Sequence, residues 1–553
     1  MIKKSLLILF SAFNFLLISG GYSQGVFEST SKTTIYNFLD ELANDQIITL
    51  TSVVKPYTRT YIAEKLKEAS KSDRLNKRQK NEIYFFLKDY GLETDNKIPA
   101  PVFFNIFKNK TNTSVTINPP GFYYADSLFR FGCRPVLGIE CFKNDNGLIY
   151  HRFNGAEAFA DIDKRVSFYA SLVDNNESEM LAKQQFLTQR TGANYKQNVN
   201  GSGRNDFSEM RGGIMYNWKW GNVGLVKDQL IWGNNYNGSI IFSGRTPSFA
   251  QIKLCMSPVK WFKFNYIHGW LVSSVIDSSR SYYDSQKVYR GVYHDKYLAA
   301  NMFTFTPFKN LDLSFGNSIV YSDIGVQPAY LIPVMFFKSI DHTLNSTVNN
   351  LGQNSQMFFD ISTRQIPHTH LFASLFVDEI MLSTIFDQPK SRNQLSLKAG
   401  FKVNNIIPNV FIIGEYTRNN PWSYRHYIST TTFASNTYNL GNYLRDNSEA
   451  YYVAIGYQPL RGLNIMADYS KALKGEEYVH STGSAFDTGT PFIKEVFWRN
   501  ESYSLKATYD ILNNVKIFSS FIYSEIKDKS GLYTPDFFKG VNRTLSFGLN
   551  VGL

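Results

Sequence analysis

From about Leu128 to its end, the chain places apolar side chains at every second position. Phe129, Phe131 and Cys133 share one face, with Arg130, Gly132 and Arg134 on the other. Leu311, Leu313, Phe315 and Ile319 oppose Asp312, Ser314, Gly316 and Ser318, and Tyr451, Val453, Ile455 and Tyr457 alternate with Tyr452, Ala454, Gly456 and Gln458. The last segment sets Leu545, Phe547, Leu549, Val551 and Leu553 against Ser546, Gly548, Asn550 and Gly552. A period of two predicts strands. A face that stays apolar to the last residue, with small polar groups opposite, fits a wall with lipid outside and water inside.

The links between these strands alternate in length. Short ones fall at Asp161 to Lys164, Gly221-Asn222, Pro258 to Lys260, Pro307 to Asn310, Gln365 to Pro367, Pro459 to Gly462 and Asn513-Asn514. Long polar ones lie between them, at Asp174 to Asp206, Ser273 to His294, Ser322 to Ser355, Asn419 to Asn447 and Lys474 to Trp498. That asymmetry predicts an all-β transmembrane protein: an antiparallel outer-membrane barrel of about 18 strands, short turns on the periplasmic side and long loops outside. The expected barrel occupies residues 111–553.

Ahead of it the period is helical. Ile35, Phe38, Leu39 and Leu42 make one apolar stripe, as do Ile83, Phe86, Leu87 and Tyr90. Asn76 and Gln79 have the spacing of a capping box, Gly91 sits where a helix-ending glycine belongs, and Thr58 can start a helix carrying Tyr61, Ile62, Leu66 and Ala69. Three short helices within residues 24–110 predict a small periplasmic bundle, marginal alone and suited to plug or lid the barrel. Met1 to Gln24 reads as a secretory signal: Lys3 and Lys4, the apolar run Leu6 to Ile18, and small residues before cleavage, giving residues 1–23 as signal peptide.

Composition sharpens the class. Aromatics are 16% of the 553 residues and charged residues only 19%, which suits rings on an outer wall and in interfacial girdles. The formal charge of +12 points either to acidic partners such as anionic glycans or lipopolysaccharide, or to a lumen lined with Lys and Arg. No nucleic-acid partner or cofactor is implied.

One long-side link stands out: Trp232-Gly-Asn-Asn-Tyr236-Asn-Gly-Ser-Ile-Ile-Phe-Ser243. It holds small, amide and ring residues and no acid, base or thiol, so it is made for shape or binding. Its expected address is the outer face of the barrel, after about the fifth strand. A second mixture of rings and a guanidinium lies at Asn419-Asn-Pro-Trp422-Ser-Tyr424-Arg425-His426-Tyr427. Rings give sugars a flat apolar face, and Arg425 can pair with an acidic sugar. Trp232, Tyr236, Trp422, Tyr424 and Arg425 are therefore the candidate polysaccharide-binding residues, against the plainer reading of such rings as interfacial girdle.

Catalytic readings find little. No G-x-S-x-G, H-E-x-x-H or phosphate-loop motif occurs. His368 and His370 share a strand face but lack a third ligand, so no metal site is expected. Glu415, Asp378 and Glu379 are expected in lumen salt bridges with Arg364 or Lys398. Cys133, Cys141 and Cys255 are an odd count; Cys133 and Cys141 would pair only through a bend near Pro135, and all three read better as small apolar fillers.

Trp232-Gly233, Tyr236, Gly238-Ser-Ile-Ile241, Ser243 and Pro247 resemble the W-G-x-G-Y-x-G-S-L-x-L-S-x-x-x-P run of the Wzi-type capsule-assembly family of outer-membrane proteins. Gly155-Ala-Glu157 followed by Val166-Ser-Phe-Tyr169 is similar to its early hairpin, Tyr438 to Ser448 to its late glycine-containing loop, and Phe38-Leu-Asp-Glu-Leu42 to its first helix. Asn234 stands where a glycine is usual, and Leu553 replaces the common terminal aromatic. The resemblance implies an eighteen-stranded, non-enzymatic surface lectin that helps retain capsular or extracellular polysaccharide, acting as a monomer in the outer membrane among lipid and lipopolysaccharide. A porin or substrate channel, and an accessory barrel for secretion, adhesion or motility, share the same fold signals.

Overall fold

The computed structural model describes residues 25–95, 99, 112–194, 196–198, 203–345, 352–380, 393–478 and 490–552. The signal reading of Met1 to Gln24 and the terminal Leu553 lie outside the described residues. Four helices come first: α1 (Thr33–Asn44), α2 (Arg59–Ser70), α3 (Lys77–Asp89) and α4 (Gly91–Asp95). Their apolar stripes meet in one core around Leu39, Leu42, Ile62, Leu66 and Phe86. Thr58 caps α2 by accepting from the Tyr61 N–H at 3.2 Å. At α3, the Asn76 side chain accepts from Gln79 N–H at 2.8 Å and Gln79 returns the bond at 3.1 Å. Gly91 does not end α3 as expected: Tyr90 is the cap and the chain turns at once into α4. Tertiary bonds hold that extra turn, since Arg130 donates to the Leu92 carbonyl at 2.6 Å.

Among the described residues, 18 antiparallel strands close into a barrel. In chain order they are β1 (Phe129–Asn144), β2 (Gly147–Ile162), β3 (Val166–Glu177), β4 (Asn205–Trp218), β5 (Gly221–Asp228), β6 (Phe249–Val259), β7 (Phe262–Leu271), β8 (Lys296–Phe308) and β9 (Leu311–Ser322). The circuit continues with β10 (Asn354–Thr363), β11 (Thr369–Glu379), β12 (Gln394–Asn404), β13 (Val410–Asn419), β14 (Ser448–Tyr457), β15 (Leu463–Gly475), β16 (Val496–Leu512), β17 (Val515–Asp528) and β18 (Gly540–Val551). Closure runs from Leu545↔Lys143 to Val551↔Leu137. Below that seam a hairpin, Thr113–Ile117 and Pro120–Ala125, pairs with the start of β1.

The alternation read from sequence is the alternation in space. Leu545, Phe547 and Leu549 face out while Ser546 and Gly548 are covered. Short turns gather at one end, several carrying Asn or Asp in the left-handed region, such as Asn310, Asn405 and Asn514. The Asn405 to Asn409 turn has no Gly or Pro at its entry and was not among the expected short links. Toward the other end, outward tyrosines form rows: Tyr416 with Tyr451 at 4.9 Å, then Tyr469, Tyr503 and Tyr523 at 4.9 and 6.4 Å between ring centroids. Such rows mark a membrane interface. No described helix is long and apolar enough to cross a membrane.

The helices pack into the short-turn mouth. Lys32 reaches Glu157 of β2 at 2.8 Å, Arg134 of β1 pairs with Asp89, and Arg364, beyond β10, meets Asp40 at 2.7 Å. Within the bundle Arg59 joins Glu28 at 2.7 Å. Such buried charges are tolerable because they are paired. Burial alone would raise the Glu28 carboxyl, and Lys32 and Arg59 outweigh it, holding that acid well below the usual carboxylate range. Cys133, Cys141 and Cys255 are free. The first two lie eight positions apart on β1, roughly 26 Å along a strand, too far to bridge.

Candidate functional site

Two long-side links, residues 229–248 and 420–447, turn inward and make a second core inside the wall. Val53 before the first barrel strand, Trp232, Ile241 and Phe242 from one link, and Tyr424, Phe433 and Leu440 from the other pack against inward-facing Met302, Phe358 and Phe376. The expected outer address of Trp232 to Ser243 is corrected here: the link does follow the fifth strand, but it descends into the lumen. Trp232 pairs across a short ladder with Val54 and with Phe242. Its indole is fully buried, edge-on to Phe242 at 5.1 Å and Phe358 at 6.0 Å.

The descent is fixed by polar groups far away in sequence. Asn234, at the position where a glycine was expected, spends its amide on the wall: its N–H and Nδ2 donate to Asp360 at 3.0 and 2.5 Å, and Ser52 donates to its Oδ1 at 2.5 Å. Glu415 accepts the backbone N–H of Tyr236 and that of Asn237, the latter at 2.9 Å, while Lys398 neutralises it at 2.7 Å. That ion pair is one of the expected lumen bridges. The Tyr236 hydroxyl donates to Asp40 of α1 at 2.8 Å and lies 2.6 Å from His370 Nδ1. Burial alone would raise the Asp40 carboxyl, and Lys402 and Arg364 outweigh it, holding it well below the usual range. His370 also meets Ser362 at 2.9 Å and His368 meets Asp45 at 2.8 Å, so the two histidines are engaged separately. Among the described residues no group of three His, Cys, Asp or Glu side chains is placed to hold a metal ion.

The second link splits its candidates. Tyr424 is buried, its N–H given to Asp378 at 2.9 Å and its hydroxyl to the Ile240 carbonyl at 2.8 Å, which ties the two links together. Trp422 and Arg425 stay at the rim. The guanidinium sits over the Trp422 ring at 4.9 Å, with its side chain 30% exposed. Tyr478 stands 6.1 Å from the same indole, and Tyr427 is 61% exposed. Trp422 and Tyr424 both hold left-handed backbones, at φ 69° and 70°. Bulky residues adopt that conformation only when their surroundings impose it.

Asp378 holds the Tyr424 N–H and Asp446 that of Trp422. Buried between Lys474 at 3.0 Å and Arg425 at 3.5 Å, Asp446 accepts the Trp422 N–H at 3.2 Å. Burial opposes its charge, and Lys474 and Arg425 reverse the effect, so the carboxyl is held below the ordinary value. Asp446 falls in the Tyr438 to Ser448 run and Lys474 at the edge of a long link, but nothing local ties either to Trp422, since neither sits near it in the chain. It also missed a free-standing hairpin, Ile276–Tyr283 with Tyr289–Tyr293. Tyr282 and Tyr283 are exposed there, Tyr283 lies 5.4 Å from Tyr289, and Arg290 is set by Asp284 at 2.7 Å. The available signal was the tyrosine-bearing segments on either side of Asp284 to Lys287. The rim thus offers rings and guanidinium groups positioned by carboxylates, the buried Asp446 and the half-buried Asp284, a surface for stacking and hydrogen bonding.

The fold resembles that of Wzi, whose solved structure is described as a carbohydrate-binding β-barrel and an outer-membrane protein involved in group 1 capsule assembly in Escherichia coli. The match covers 97% of this chain and 100% of that one, at 10% identity and a TM-score of 0.57. OccAB2 of Acinetobacter baumannii matches at 10% identity and TM-score 0.43, and OccK5 of Pseudomonas aeruginosa at 11% and 0.39; each covers 76% of this chain and 97% of its own. No protein-family model and no curated protein matches the chain.

Proposed function

We propose that this is a non-catalytic outer-membrane barrel that binds capsular or extracellular polysaccharide at its long-loop rim and helps attach or assemble it at the cell surface. The observation that carries the reading is the division of labour between the two inward links. What a channel would leave open is filled by Trp232, Phe242 and Tyr424 as core, with half-buried Tyr236 packed beside Phe411 and Tyr452, while Trp422 and Arg425 are kept at the rim in an imposed geometry. The fold partner described as carbohydrate-binding supports the same direction. On this reading Trp422, Arg425, Tyr427 and Tyr478 take the sugar, with acidic units favoured by Arg425. Trp232, Tyr236 and Tyr424 shape the platform from below. On the same reading the chain is exported by a signal at residues 1–23, the helices of residues 24–110 lie in the periplasm, and the barrel of residues 111–553 sits among outer-membrane lipid and lipopolysaccharide.

A channel is favoured by one feature. Between the helices, the Trp232 link and the wall lies a chamber of about 380 Å³ lined by Asn37, Lys55, Asn235, Tyr452 and Lys506 among others, a polar space of the kind a solute path uses. A deletion strain separates the readings: polysaccharide shed from the cell surface, restored by the wild-type gene, supports attachment. Normal attachment together with lost uptake of a solute would favour the channel.

A further inference from the structure

The described part of the long Ser322 to Ser355 link does not join the lumen core. Its described part, residues 323–345, leaves the top of β9 and folds down over the outside of the barrel. Inward-facing Ile267, Ala300 and Val320 belong to the lumen core, whereas Tyr266, Ala299, Ile319 and Tyr321, on the opposite faces of the same strands, pack with Tyr330 and Phe337 of the link. Its described part ends in helix α5 (Phe337–Asn345) and acts as a strap on the outer wall.

Polar wall groups bind it. Asn301 donates to the carbonyls of Pro333 and Met335, each at 2.9 Å. Asn317 accepts the Phe337 N–H at 2.9 Å and donates to Asn301 at 2.8 Å. Tyr266 donates to the Tyr330 carbonyl at 2.8 Å. These side chains face outward at a level where lipid would leave an amide unsatisfied, and the strap's carbonyls and amide satisfy them. Asn317, six positions up β9 from Leu311, also donates to the Met335 carbonyl at 3.2 Å, so the lower edge of the strap, Val334 to Phe336, overlies the middle of that strand.

That edge is apolar on its free side: Val334 is 59% exposed and Phe336 46%. Between it and the wall, down to Trp261 at the short-turn end, runs a groove of about 640 Å³. Phe305 and Phe359 form part of its floor, and Asn317, already satisfied, is the one polar side chain among its described lining residues. The groove is continuous with the apolar lipid-facing wall. In water such a surface would carry a large hydration cost, and it is removed by hydrocarbon.

We propose that the strap and the groove beneath it form a lipid site on the outer wall, taking acyl chains of an outer-leaflet lipid and fixing the height of the barrel in the membrane. The proposal rests on the membrane reading above. It is tested by nitroxide labels at Val334→Cys, in a background with Cys133, Cys141 and Cys255 changed to Ser, in vesicles of phosphatidylethanolamine and phosphatidylglycerol. Oxygen should relax the label more than a water-soluble nickel chelate does. Preferential relaxation by nickel would put the strap in water and overturn the proposal. Protection from both would mean a second protein copy covers the groove, and would overturn it as well. A label at Leu545→Cys, on β18 away from the strap, reports insertion of the barrel by itself, so failure of the membrane reading is seen separately. Native mass spectrometry of protein extracted in mild detergent gives a second arm. Wild type should retain a lipid that Val334→Trp, filling the groove, loses at least tenfold, and equal retention would count against the site.

Discussion

The hydroxyl of Tyr236 lies 2.8 Å from Oδ2 of Asp40, so a link from the long-loop end touches a helix from the short-turn end inside the barrel wall. Through Asp40 both are joined to Arg364 at 2.7 Å and Lys402 at 3.1 Å. The plug is thus one connected body, closed from two sides.

Removing the charge at its centre should loosen it. Asp40→Asn leaves Arg364 and Lys402 buried without their carboxylate, a change that costs about 3 to 5 kcal/mol in comparable buried pairs. Tyr236→Phe removes the hydroxyl's contacts with Asp40 and His370 and should cost about 1.5 to 3 kcal/mol, since the acceptor is charged. Single-channel recording should show a closed wild type and fluctuating openings in Asp40→Asn, with Tyr236→Phe close to wild type. An equally silent Asp40→Asn protein would mean this contact does not hold the plug.

Docking of the helices should depend on pH through Glu82. Burial pushes its carboxyl up to about 7, only partly offset by the Gly462 N–H it accepts at 2.7 Å and by Arg78. A carboxyl raised in the folded state favours the docked form most fully below its ordinary value of 4.5, and that preference fades as pH rises toward 7. The full window is worth about 3 kcal/mol at most. Asp40, held low, contributes no change there. After correction for the intrinsic base-catalysed rate, exchange protection in α3 should fall from pH 4.5 to 7 more steeply in wild type than in Glu82→Gln; identical profiles would exclude Glu82 as the source.

Core and rim tryptophans should behave oppositely. Trp232→Ala empties a fully buried site and should cost about 3 to 5 kcal/mol of stability. Trp422→Ala, at the rim, should cost about 1 kcal/mol or less. Thermal unfolding of the two variants side by side checks this, and comparable losses would place Trp422 in the core.

Much of the barrel was legible because its rule is local: one face apolar, one polar, repeated every second residue. The helix caps at Thr58 and at Asn76 with Gln79 were legible for the same reason. Gly91 misled because the turn it begins is held by Arg130 and Arg59, remote in sequence. The direction of the Trp232 link was illegible on the same ground, since Asp360, Glu415 and Asp40 steer it from elsewhere in the chain. Nor does a link of mixed composition announce which side of a wall it will cover, although Leu331 to Phe336 carries the apolar run that the outer strap presents. At the rim, Trp422 and Arg425 were readable as residue types; their setting by Asp446 and Lys474 was not.

The central claim is that the rim takes polysaccharide while the filled lumen only supports it. It is tested most directly by equilibrium binding of the cell's own purified polysaccharide to detergent-solubilised wild type and to a Trp422→Ala, Arg425→Ala double variant. The account predicts saturable binding to wild type and at least a tenfold loss in the double variant, with barrel folding unchanged. Equal affinity in the two proteins would contradict it.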